Sequence, residues 1–298
     1  MTTTTTPSPA EIQKTVESAV KEISNIATLP EVTMKIIKLV EDPESTAQDM
    51  NKVISSDPAL GARILKVVNS AFYGLPGQIG SINRAVVLLG LNAVKNIAIA
   101  ASLSKLFRGG KIAANFDARD LWQHAIACAT ATKLLSEKAG IGLPDEAFLA
   151  GLIHDIGIMV EIQARRTDFV SALERAEKES LPLRAAEFAA LGATHEQFGA
   201  GLCRVWKFPV AFQFVTGFHH HPLDVPEEVR PLVSLVYLAD YIVAKLEMGF
   251  AHEVDAQAPP CADVLAAVKL DEAAIDAICA AMPEAVSEAQ GVFNAAGG

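Results

Sequence analysis

Apolar residues recur at three-to-four-residue spacing along almost every long segment of this chain, and alternating stretches rich in β-branched residues are scarce. A period near 3.6 stacks side chains on one face of a helix, whereas a strand needs a period of two, so the pattern predicts an all-α fold. After Pro58, Leu60, Ile64, Leu65 and Val68 fall on one face of such a helix, and the glycines and proline of "NSAFYGLPG" stop it. Asp57 before Pro58 suits an N-cap followed by proline at the first helical position, and Ser45 followed by Gln48 suits a capping box. Asn69, at the end of the same helix, is placed to bond local backbone. The apolar stretch from Ala85 to Leu103 is interrupted by Asn92, Lys95 and Asn96 and broken at "LGLN", so two buried helices are expected there rather than a membrane span.

The same pattern divides the chain. Residues 1–10 read as a disordered tail, 11–108 as an N-terminal helical subdomain, 117–250 as a second helical subdomain, and 251–298 as a helical extension packing back on the body. The clearest linker is "FRGGKIAANFDARD", with Gly109 and Gly110 paired between two helical patterns. Pro259 and Pro260 mark the link into the extension.

Composition narrows the function classes. With 51% hydrophobic residues in 298, the chain can bury a substantial core. A net charge of -10 and a pI near 5.2 argue against a broadly basic nucleic-acid-binding face, and no Lys/Arg run suits an anionic membrane. "MTTTTTPSPA" lacks the basic start and apolar core of a signal peptide, so a cytoplasmic protein is expected. Cys128, Cys203, Cys261 and Cys279 show no CxxC spacing and are expected to be buried free thiols, in keeping with a reducing compartment.

The candidate chemistry lies in the second subdomain. Asp120 and His124 are four apart on a predicted helix and share a face, His154 and Asp155 are adjacent inside the apolar run "GLIHDIG", and His195, His219, His220, His221 and Asp240 follow. Imidazole and carboxylate donors suit zinc, iron or manganese, and two such ions about 3.5–4 Å apart can activate water and clamp a phosphate. Hydrogen-bonded core histidines are the competing reading, and spacing leaves both open. His221, followed by Pro222, is read as closing a helix, and His252 as a loop residue. Trp122 and Trp206 are read as packing anchors rather than stacking platforms.

The motifs, taken together, resemble a known family. "SDPALGARILKVVNSAFYG" with "IGSINRAVVLLG", followed in order by "LWQH", "FLAGLIHDIG", "THEQFGAGLCRVWKFP", "HHHP" and "YLAD", is similar to the HDOD domain, an output domain related to the HD and HD-GYP hydrolases of bacteria. The resemblance runs from about Ile23 to Ala244. It implies an all-α domain of two packed helical subdomains, the second an HD-like bundle, and a bacterial signalling role. It also implies His124, His154, Asp155 and Asp240 as HD-type ligands, with His195, His219 and His220 as the extra ligands of the HD-GYP relatives. Asp120 stands where those relatives can place a carboxylate. The implied cofactor is one or two divalent ions of iron, manganese or zinc.

Two departures bear on catalysis. The HD-GYP pattern continues "HDIG" with a lysine for the phosphate, where this chain has Ile158, and its Gly-Tyr-Pro loop is replaced here by "HHHPLDVPEEV". An apolar side chain cannot neutralise phosphate charge. The expected function is therefore a cytoplasmic regulatory HDOD protein that acts by binding signalling proteins or a ligand, with a metal serving structure or sensing. The alternative is a metal-dependent phosphohydrolase acting on a nucleotide or cyclic dinucleotide, with Asp155 bridging the ions. A non-hydrolysing nucleotide sensor stands third.

Overall fold

The computed structural model describes residues 7–24, 31–42, 44–71, 73–104, 106–107, 110–114, 116–142, 144–250 and 258–296. The all-α expectation holds. The first half carries α1 (Pro9–Ser24), α2 (Glu31–Glu41), α3 (Ala47–Ser55), α4 (Pro58–Val68), α5 (Ile82–Leu89) and α6 (Leu91–Leu103). Helix α1 takes in the last two residues of the segment expected to be a tail, because Ser8 and Glu11 cap it reciprocally: Ser8 N–H donates to the Glu11 carboxylate at 2.7 Å and Ser8 Oγ accepts from Glu11 N–H at 3.4 Å. Residues 1–6 of that tail lie outside the described residues.

Two caps show how finely local chemistry sets helix starts. Asp57 accepts from Leu60 N–H at 2.9 Å ahead of Pro58, as its position predicts. The capping box expected at Ser45 lies one residue later, between Thr46 and Asp49, because the Ser45 hydroxyl donates instead to the Leu39 carbonyl. Asn69 fulfils its expected structural role: its amide donates to the carbonyls of Leu65 and Ile79, each at 2.8 Å, and its carbonyl accepts from Ile79 N–H at 2.6 Å. Asn69→Ala should lower the unfolding free energy by about 1 kcal/mol, since water can replace part of this strap. An unchanged denaturation midpoint would contradict that role.

Between α5 and α6, Gly90 has φ +88°, a backbone region that side chains rarely enter, so the chain turns there and yields the expected helical pair. The segment read as a linker contains a small antiparallel hairpin, β1 (Lys111–Ala113) and β2 (Phe116–Asp117), with Lys111 opposite Asp117. Phe116 explains it: the ring is buried edge-on against Phe169 and Phe250, at 5.3 and 4.9 Å between centroids, and pins the segment to the body.

The second half continues with α7 (Ala118–Ala139), α8 (Pro144–Ile153), α9 (Ile156–Ala164), α10 (Arg166–Glu179), α11 (Leu183–Leu191), α12 (His195–Val205), α13 (Val210–Phe218), a short 3₁₀ turn at Pro222–Asp224, α14 (Arg230–Lys245), α15 (Ala262–Val268) and α16 (Glu272–Ala296). Helix α7 is the spine, flanked by α8, α14 and α16, while α9 packs on α12 and α12 on α13. Helix α6 meets α8, and α1, although grouped by sequence with the first half, lies against α9 and α12. Trp122 stacks near Phe107 at 5.0 Å and donates its indole N–H to Asn294 at 2.9 Å, tying α7 to α16 as a packing anchor. Trp206 is likewise buried, beside Phe208.

The run Pro144–Ala164, which takes in α8 and α9, is long and apolar enough to cross a membrane by length and composition, and 89% of its 18-residue apolar window is buried within the fold. Cys128 and Cys203 are buried free thiols as expected. Contrary to expectation, Cys261, at the start of α15, is exposed, and Cys279, within α16, is half-buried.

Candidate metal centre

Five elements converge on one buried point. Helix α7 supplies His124 and, one turn later on the same face, Cys128. His154 and Asp155 lie in the break between α8 and α9. His154 Nδ1 bonds the Gly151 carbonyl at 2.8 Å there, and the break turns both side chains inward. His195 opens α12 behind a Thr194–Gln197 capping box, His219 and His220 follow the end of α13, and Asp240 comes from α14.

Asp155 sits between two groups of donors. Its Oδ2 lies 3.3 Å from His154 Nε2 and 3.5 Å from His124 Nε2, while its Oδ1 lies 3.3 Å from His219 Nε2 and 3.6 Å from His195 Nε2. On the first side, His124 Nε2 is 3.3 Å from His154 Nε2 and 3.4 Å from Asp240 Oδ1. On the second, His195 Nε2 is 3.3 Å from His220 Nε2. Ligands about 2.0–2.1 Å from a tetrahedral ion stand about 3.3–3.4 Å apart, so these separations match the edges of coordination polyhedra. His219 Nε2, fully buried, faces Asp155 without making a hydrogen bond to it. Such a nitrogen is spatially matched to a cation.

The outer contacts fix which nitrogen faces inward. His154 Nδ1 bonds the Gly151 carbonyl, and His219 Nδ1 reaches the Val215 carbonyl at 3.2 Å. A carbonyl only accepts, so both Nδ1 atoms carry a proton, and each ring in its neutral form presents the Nε2 lone pair to the centre. His195 Nδ1 is held by the buried Glu187 carboxylate at 2.9 and 3.1 Å, and the same carboxylate accepts from His195 N–H at 3.0 Å.

Without a cation, charge within this centre is strongly redistributed. Burial opposes a charge on His154, but Asp155 and, more weakly, Asp240 overcome it and raise the imidazole to about 9. Burial likewise resists ionisation of Asp155, yet His154 and, more weakly, His195 hold it well below the usual carboxylate range. Asp240 is pushed up to about 7 by burial, with Asp155 adding to the effect against His154. Burial lowers His219, and burial with His219 and His195 lowers His220 further, so both are neutral and ready to bind metal at pH 7. The Cys128 thiol is kept protonated by burial and by the charges of Asp240 and Asp155.

Sequence reasoning gathered His124, His154, Asp155, His195, His219, His220 and Asp240, and the fold brings all seven together. Asp120 is on the exposed side of α7 and belongs to none of the donor groups, one turn being enough to carry its carboxylate out of the core. His221 instead contacts Arg184, at 2.6 Å. His252 lies outside the described residues. Cys128, Glu187 and Glu161 were passed over. Cys128 has its Sγ 3.4 Å from His124 Nε2 and joins His124, His154 and Asp240 in a group able to hold a metal.

Glu161 is fully buried, and neither of its oxygens has a hydrogen-bond partner among the described residues. Burial first, and the negative charge of Glu187 second, raise its carboxyl well above the usual value of 4.5. A raised acid binds its proton more tightly in the folded chain, so its stabilising contribution is full below pH 4.5 and is lost as pH rises through the folded value. Glu161→Gln should flatten the fall in stability from pH 5 to 9, read from denaturation midpoints across that range. An unaltered slope would exclude this carboxyl as its source.

Known proteins share this chain's sequence pattern and fold. The HDOD domain family model matches residues 26–222. A curated relative, an uncharacterised protein of Treponema pallidum (strain Nichols), is 26% identical over 241 residues, which is 80% of this chain and 46% of the relative, so the chain spans about half the length of the protein it matches. An HDOD domain protein of unknown function from Geobacter sulfurreducens shares the fold with a TM-score of 0.76 at 22% identity, covering 94% of this chain and 98% of that one. A Marinobacter aquaeolei protein provisionally named for signal transduction superposes with a TM-score of 0.72 at 24% identity, over 97% of this chain and 65% of that one. With two-thirds of its length matched by the family model and its helices arranged as in these structures, the chain belongs to the HDOD domain family.

Proposed function

We propose that this protein is a metal-binding regulatory HDOD protein of the bacterial cytoplasm, which passes on a signal by binding another signalling protein. His124, His154, Asp240 and Oδ2 of Asp155 would hold one divalent ion, and His195, His219, His220 and Oδ1 of Asp155 a second. The observation that carries this reading is the division of the Asp155 carboxylate between two donor sets, 3.3–3.6 Å from four imidazole nitrogens. The mixture of imidazole and carboxylate suits iron, manganese or zinc.

Regulation is favoured over turnover by what surrounds the centre. Ile158, which stands where the HD-GYP pattern has a lysine, is fully buried in apolar contacts. The guanidinium of Arg184, nearby in the fold, is engaged by Glu196 at 3.2 Å and His221 at 2.6 Å. The signal-transduction name of the Marinobacter protein supports the same reading.

A second reading, a phosphohydrolase acting on a nucleotide or cyclic dinucleotide, is favoured by the shared carboxylate itself. When bound, paired ions supply Lewis acidity and an activated water. In that case Asp155 would orient both halves of the centre, and Glu187 would hold the His195 ring in place. Metal-loaded protein should be assayed against a nucleotide panel and used to capture partners from its host. Specific partner capture that depends on bound metal, without turnover, supports regulation. Turnover abolished by Asp155→Asn establishes hydrolysis and displaces the regulatory reading, whereas thermal stabilisation by a nucleotide without turnover points to a ligand sensor.

A further inference from the structure

We propose that Cys128 is a ligand of the first metal position, adding a sulfur to the two nitrogens of His124 and His154 and the carboxylate oxygens of Asp240 and Asp155. This inference rests on the reading of the centre as metal-binding and adds to it a donor that the histidine and aspartate pattern does not contain. The donor atoms of His124, Cys128, His154 and Asp240 lie within 4.8 Å of one another, and all four residues are buried. Cys128 Sγ is 3.4 Å from His124 Nε2 and 4.0 Å from Asp240 Oδ1. With zinc–sulfur near 2.3 Å and zinc–nitrogen near 2.0–2.1 Å, a tetrahedral sulfur–nitrogen edge is about 3.5 Å. The spacing from His124 is that edge, and closing the 4.0 Å gap needs only a small movement of Asp240.

Burial alone does not create this arrangement. Cys203 is just as buried, yet its sulfur meets the Thr216 hydroxyl, at 3.7 Å, and belongs to no donor group. Cys128 is one helical turn from His124, so α7 presents imidazole and thiol to the same point. On binding, the Cys128 thiol gives its proton to solvent as the metal–sulfur bond forms.

The added sulfur makes the two positions chemically unequal. Thiolate favours zinc or iron over magnesium and manganese, while the second position offers three imidazoles and one carboxylate oxygen. A position whose donors all come from protein is built to hold an ion rather than to activate water, as in structural zinc sites. The first ion would therefore anchor α7, α14 and the α8–α9 break together, which strengthens the regulatory reading.

The test uses the full chain carrying Cys261→Ser and Cys279→Ser, which leaves Cys128 and Cys203 as its thiols. The protein is stripped with chelator and reloaded with cobalt(II), and bound cobalt is measured by elemental analysis. The expected result is bound cobalt with a near-ultraviolet thiolate-to-cobalt charge-transfer band, lost on adding Cys128→Ser and kept on adding Cys203→Ser. Bound cobalt without the band, or a band that survives Cys128→Ser, overturns the assignment while the metal centre stands. Absence of bound cobalt overturns both. If Cys128→Ser does not fold, as judged by circular dichroism, the Cys203→Ser protein decides alone, because Cys128 is then its last thiol.

Discussion

Asp155→Ala will leave the purified chain without bound divalent metal, whereas the unaltered protein carries about two ions, in line with a two-metal centre. The carboxylate faces both donor sets, with Oδ2 toward His124 and His154 and Oδ1 toward His195 and His219. Removing it takes an anionic oxygen from each position at once, and the second position is left with imidazoles alone. His219→Ala, by contrast, removes a donor from the second position and should cost one ion. Asp155→Asn keeps a single carbonyl oxygen and can serve one side at most.

A stability measurement gives the same prediction a second readout. An ion at a thousand times its dissociation constant stabilises the folded state by about 4 kcal/mol per site. The melting temperature of the unaltered protein should therefore rise with added zinc and fall with chelator, while that of Asp155→Ala should respond to neither. Two ions per chain in Asp155→Ala, measured by elemental analysis, would show that the carboxylate is not shared.

The parts of this architecture that were legible in the sequence are those governed by local rules. Helical periodicity gave the all-α fold, and Asp57 with Pro58 and the Gly90 break set helix boundaries through capping and backbone sterics. The seven donors were legible through their order in recognisable motifs. Where long-range packing decided the outcome, sequence fell short. The hairpin at Lys111–Asp117 exists because Phe116 finds Phe169 and Phe250, partners 53 and 134 positions away, which no local pattern reveals.

The centre shows the same division. Cys128 looked like core filler because its neighbours are apolar, although its four-residue spacing from His124 was a usable signal. Glu187 lies in an Ala-rich helix where a glutamate would ordinarily face solvent, and only the approach of His195 explains its burial. Asp120 shows the limit of spacing: it is four residues from His124 on α7, yet its side chain is exposed while that of His124 is buried.

The largest purely structural effect is expected at Gly157, the last residue of "GLIHDIG". A Cβ added there would overlap the His195 carbonyl oxygen and come within 2.7 Å of Gly199 N. Both neighbours are backbone atoms of α12, so no side chain can rotate away and α9 and α12 must separate. Overpacking of a filled core costs about 1–3 kcal/mol and sometimes more. Gly157→Ala should reach about 3 kcal/mol, because a helix pair rather than a flexible side chain has to move. Gly291→Ala is the fitting control: its added methyl meets nothing within 4 Å and lies within α16, where alanine is the better helix former by about 1 kcal/mol. The separation also has a chemical consequence, since Asp155 immediately precedes α9 and His195 opens α12. Widening that contact draws His195 Nε2 away from Asp155 Oδ1, now 3.6 Å apart, so Gly157→Ala should weaken the second metal position beyond what its loss of stability requires. Metal content and denaturation midpoint measured on the same preparation separate the two effects. A variant as stable as its parent, with its full complement of metal, would mean that the two helices can part without disturbing the centre.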